Sequence, residues 1–197
     1  MRTTRIAARS ALLVGGLLAL GATAHAAGNG NKLVWKRIGG ITVPNGVVGR
    51  HADGTPCDIG VDCVQGTPAS WTTTDGSAEV NLGTGRVEFS VRGLVLSADP
   101  SFSNIGTTSF ITMVKGTLVC NDTQPGSAEL VDTDAVPLSS LGNASFRGHV
   151  DLPVSCTAEP GDTVFLIRIA DVSDPDHDDL IDDWNAFGAV RSGPDGD

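Results

Sequence analysis

The sequence predicts an all-β protein, an antiparallel β-sandwich of Ig-like or jelly-roll-like type, left behind when an N-terminal signal helix is removed. Three observations lead there. Apolar and polar residues alternate over several stretches, which is the period of a half-buried strand. Clusters of Gly, Pro, Asn and Asp interrupt those stretches at spacings of about 8 to 15 residues, as in sandwiches and barrels. Beyond the leader no i, i+3, i+4, i+7 apolar stripe persists for about three turns, so no long amphipathic helix is expected.

The leader comes first. Arg2, Arg5 and Arg9 form a positive segment, Ala11 to Ala22 an apolar one, and Ala24-His25-Ala26 a small-x-small cleavage pattern. Together these read as a signal peptide over residues 1–26 and place the mature chain in a secreted or periplasmic setting. A spanning helix needs about 20 mostly apolar residues, and neither this Gly- and Ala-rich stretch nor any later one supplies them. No membrane insertion is expected after cleavage. Residues 27–32 follow as a linker, and 33–197 as one domain, since about 170 residues enclose a single core of ordinary size.

Strands are expected at Leu33 to Ile38 and Ile41 to Val43, then at Ser77 to Leu82. From Gly85 the alternation sharpens: Val87, Phe89, Val91 and Val95 fall on one face, Glu88, Ser90 and Arg92 on the other. Phe110 to Cys120 alternates with a second face that is also partly apolar, which points to a central strand. Ser127 to Val131, Ala144 to Leu152, Thr163 to Ala170 and Trp184 to Arg191 complete the set.

Four cysteines lie in the exported part, and an even number outside the cytoplasm favours disulfides. Of the three pairings, loop closure favours Cys57 with Cys63 and Cys120 with Cys156, because near neighbours lose less chain entropy on joining. A zinc site fits poorly, since the paired close spacings of structural zinc are missing.

Charge excludes two partner classes. The chain carries a formal charge of −10, and loss of the leader, with three arginines and no acid, takes it to −13. Nucleic acid and anionic lipid are repelled by such a balance, because affinity for phosphates comes from Lys and Arg. The remaining partner is an unknown extracellular ligand.

Seven aspartates crowd the loop at 171–183, with His177 as its single basic residue. Like charges at that density repel. A hard cation relieves this, since calcium takes about six to eight oxygens and alternate carboxylates face one cavity. Asp174, Asp176 and Asp178 hold positions 1, 3 and 5 of such a loop, with Asp182 at position 9. The competing reading is a solvated acidic loop, which blocks of like charge usually form. A glycosidase-type carboxylate pair is a third possibility, whose separation sequence clustering does not give.

The stretch from Asp174 to Asn185 resembles the calcium loops of EF-hand-like and thrombospondin type 3 repeats. It departs where the turn glycine is Asp179 and the closing bidentate Glu is Asn185. With those departures the resemblance implies a weak calcium site or none, with calcium as the one cofactor to consider.

Elsewhere chemistry is sparse. His149 and Asp151 are two apart on an expected strand and so share a face, and His51 and Asp53 sit in the loop before Cys57. No nucleophile elbow, phosphate loop or zinc helix accompanies them, so no catalytic residue is assigned. Asn121-Asp122-Thr123 and Asn143-Ala144-Ser145 match the glycosylation sequon, but the leader is of bacterial type and both read as plain surface turns.

The segments Val114 to Asn121, Val164 to Ala170 and Trp184 to Arg191, in that order behind a signal peptide, resemble a group of uncharacterised exported bacterial all-β proteins. The resemblance runs from Val87 onward and implies fold and compartment, with no activity. The leading functional expectation is therefore a non-enzymatic domain with a binding or structural role. A calcium-dependent binding module and a secreted hydrolase are the alternatives.

Overall fold

The structure, a computed structural model, describes residues 31–42, 47–48, 64–97, 104–121, 128–174, 176 and 181–192. The expected signal peptide at residues 1–26, His51, Asp53, Cys57 and Cys63 lie outside the described residues.

Thirteen strands are described: β1 (Lys32–Gly40), β2 (Val47–Val48), β3 (Val64–Gln65), β4 (Trp71–Thr72), β5 (Asp75–Asn81), β6 (Arg86–Arg92), β7 (Val95–Leu96), β8 (Ile111–Cys120), β9 (Glu129–Asp132), β10 (Val136–Pro137), β11 (Ala144–His149), β12 (Thr163–Val172) and β13 (Trp184–Ser192). A single helical turn, α1 (Val154–Ala158), follows β11. The fold class is all-β and antiparallel, as the alternation predicts.

Nine strands form one sheet in the order β10-β8-β12-β13-β1-β5-β6-β11, with β9 also pairing β8. Two small pairs, β2 with β3 and β4 with β7, stand apart from it. The large sheet curls into a half-barrel, so the two facing layers expected of a sandwich are two halves of one continuous sheet. The final strand makes this possible: β13 lies between β12 and β1 and joins the two halves.

Burial shows why the sheet curls. Val87, Phe89 and Val91 of β6 and Ala78 and Val80 of β5 are buried on one face. From the opposite half come Leu118 of β8 and Phe165, Ile167 and Ile169 of β12. Phe165 stands at the meeting point, its ring centroid 5.5 Å from Trp35 and 5.7 Å from Phe89. Such tilted pairs add about 0.5–1.5 kcal/mol each beyond area burial. Gly116 on β8 leaves the space these rings fill, since a Cβ there would sit 2.9 Å from both Phe89 and Phe165.

Three local expectations need correction. Val95 does not continue the β6 face: Gly93 turns the chain at φ +62°, and Leu94 and Leu96 are buried in its place. Ile41 is buried but belongs to no strand, its N–H bonding to the Asn185 carbonyl. Asp151 lies beyond the end of β11, which closes at His149. The helical turn α1 was also not anticipated; Pro153, an extended residue with no N–H to satisfy, precedes it and Cys156 is buried within it.

Cys120, at the end of β8, and Cys156, in α1, form a disulfide with Cα atoms 4.9 Å apart. The bridge holds the helical turn against the central strand.

Candidate binding site and the acidic segment

Register decides which side chains meet on the convex face. Arg168 of β12 is directly opposite Lys115 of β8, and Thr117 of β8 is opposite Asp132 of β9. Two cations are therefore placed beside each other where the outer face is nearly closed to water, at 8% exposure for the Arg168 side chain and 17% for Lys115. Isolated, they would be costly there. Asp132 and Asp182 make the cluster neutral: Lys115 Nζ lies 2.7 Å from Asp132 and 2.5 Å from Asp182, and Arg168 reaches the same two carboxylates at 3.3 and 3.5 Å. Arg168 Nε also donates to the Asp182 carbonyl at 2.6 Å, and Thr117 Oγ1 donates to Asp132 at 2.7 Å.

This network fixes the end of the acidic segment. Asp182 takes a left-handed conformation, φ +79°, while its N–H bonds to the Ile169 carbonyl and the Ile169 N–H to the carbonyl of Asp183. Of the residues proposed for calcium, Asp182 thus has its carboxylate on Lys115 and Arg168. Asp174 accepts the Asp176 N–H at 3.1 Å in a local turn. Asp178 lies outside the described residues. Among the described residues no group of three metal-binding side chains comes together. Asn185, in the closing position of the loop, is wholly buried in β13, and neither side-chain amide atom has a partner among the described residues.

The Asp132 carboxyl is held below its ordinary value of 3.8. Burial pushes it up, but hydrogen bonds from Lys115 and Thr117 and the Arg168 charge together outweigh this. The folded protein therefore binds this proton more weakly than the unfolded chain, so its stabilisation is complete above the unfolded value and is lost as pH falls through the lower folded one. Urea midpoints measured from about pH 6 to pH 3 are expected to fall in the wild type, and Asp132→Asn should lower the midpoint at neutral pH and flatten that fall. An unchanged slope would show that the acid sensitivity arises elsewhere.

His149 and Asp151 are both exposed, and among the described residues their side chains make no hydrogen bond or ion pair. Both line a wide depression with Glu129, Asp132 and Asp134. Asn143 has a structural task, its Oδ1 accepting the Gly93 N–H at 3.1 Å.

A second constellation was not singled out by sequence. Where β1 passes β4, a groove of about 320 Å³ is lined by Arg37, Gly39, Gly40, Thr42, Trp71, Thr72, Thr73, Phe187 and Ala189. Its floor is low because Gly39 has no side chain and its neighbour on β13, Phe187, stands beside it, 3.8 Å from where a Cβ would be. Gly40 brings β4 close, since a Cβ there would fall 2.3 Å from the Trp71 carbonyl oxygen. Phe187 is propped edge-on by Trp184 at 5.9 Å. The Thr73 hydroxyl is spent on the Ile38 carbonyl at 2.6 Å, and the buried Trp71 indole N–H has no acceptor among the described residues. Arg37, exposed at the rim beside exposed Lys36, makes no ion pair among the described residues. Lys32 by contrast pairs with Glu79, and Arg86 and Arg147 share Glu88, while exposed Lys36 and Arg92 are like Arg37 in making no ion pair among the described residues.

Among the described residues no helix is long and apolar enough to cross a membrane. Compared with protein-family models, with curated proteins and with solved structures, the chain matches none.

Proposed function

We propose that this is an exported protein, secreted or periplasmic, with a non-enzymatic binding role, and that the groove beside Arg37 is its recognition surface. The observation that carries the reading is the Arg37 guanidinium, without an ion pair among the described residues, at the rim of a hollow that Phe187 also lines. Small-ligand sites combine such apolar surface with a few placed polar groups. Export is supported by the leader pattern and by the Cys120–Cys156 pair, which an oxidising compartment favours.

The test has two parts. Fractionation of cells making the full chain should find a processed product outside the cytoplasm, and an unprocessed cytoplasmic chain would overturn export. A fragment library screened by amide chemical shifts should give hits that cluster at residues 37–42, 71–73 and 187–189. Hits confined to other surfaces would remove the groove.

A calcium-dependent module is the second reading, supported by the Asp174 and Asp176 spacing and the turn they share. It expects the melting temperature to rise in millimolar calcium, by mass action, and to return with chelator. An unmoved melting curve eliminates it.

A further inference from the structure

We propose that the groove takes an acidic sugar unit, a pyranose ring bearing a single carboxylate such as a uronate. This rests on the groove being a binding site. Size sets the first limit: about 320 Å³ lies at the small end of ligand pockets, room for one ring rather than a drug-sized body or a helix. The walls set the second. The Phe187 ring beside the bare backbone of Gly39 gives apolar surface that suits the C–H face of a sugar ring, and two hydroxyl-bearing residues, Thr42 and Thr72, are also in the lining.

Charge sets the third limit. Arg37 has no acidic partner among the described residues, and its planar fork of donors matches a carboxylate with two parallel hydrogen bonds. A dense polyanion is excluded, because a chain of formal charge −10 repels it at long range. One carboxylate delivered directly to Arg37, with Lys36 exposed alongside, meets only a local positive field. The groove is partly open to solvent, so the unit is reached as a free sugar or as a residue within a chain.

The experiment titrates the ¹⁵N-labelled protein with D-glucuronate and D-galacturonate, against D-glucose, D-galactose and acetate. The expected result is saturable shifts at the groove amides with the uronates, weaker ones with the neutral sugars and none with acetate. Arg37→Gln, at an exposed position, should weaken uronate binding about tenfold, the scale of a lost charge-assisted hydrogen bond. Neutral sugars binding as tightly, with no effect of Arg37→Gln, would overturn the acidic class and leave the groove standing as a site. Shifts with no sugar at all would overturn the proposal, while fragment hits in the groove would still hold the binding reading.

Discussion

Phe165→Ala is expected to destabilise the protein by about 3–5 kcal/mol, the range for removing a fully buried aromatic side chain. The magnitude follows from position. Phe165 is wholly buried and reaches from the β8–β12 half of the curled sheet to Trp35 of β1 and Phe89 of β6 in the other half. Truncation removes transfer energy and leaves a cavity that curled strands on both sides are too constrained to close. Phe146 is the control: it stacks on Phe89 at 5.9 Å but is only partly buried, at the edge of the core. Its alanine variant should lose clearly less in the same urea titration. Equal losses for the two would mean that the halves of the sheet do not share one interior.

Loss of the Cys120–Cys156 bridge should cost about 4 kcal/mol, the loop-closure value for a separation of 36 residues. The closed loop contains β9, β10 and β11, so without the bridge the unfolded chain gains the freedom of three strands. A Cys120→Ala, Cys156→Ala double variant is the right probe, since it leaves Cys57 and Cys63 untouched and makes no free thiol. The denaturant midpoint is the readout. A midpoint equal to that of the wild type would show the bridge to be incidental to stability.

Much of the architecture was legible in the sequence. In β5 and β6 the alternation of Ala78 and Val80, and of Val87, Phe89 and Val91, marks the buried face residue by residue. It fails where one backbone conformation intervenes: Gly93 changes direction, and Val95 loses the phase it holds on paper. Joining the two halves into one sheet was not legible, because periodicity reports faces and not neighbours. Nothing local says that β13 enters between β12 and β1.

The candidate sites show the same division. Spacing alone puts Asp182 at position 9 of a calcium loop, yet its carboxylate meets Lys115 and Arg168, which become neighbours only through the register of β8 and β12. In the groove, Arg37 and Phe187 come from the two ends of the described chain. The one local signal was the Gly39-Gly40 pair within a strand, since glycine there often marks a close approach of backbone or ligand.

The way the large sheet ends bears on how the protein behaves in company. One margin is broken into β9 and β10, four and two residues long, and the shorter holds Pro137, which has no N–H to offer a neighbour. The other margin, β11, presents Ser145, Arg147 and His149 to solvent. Interrupted, proline-bearing or charged borders are poor templates for strand addition, so chains at high concentration have little means of zipping together rim to rim.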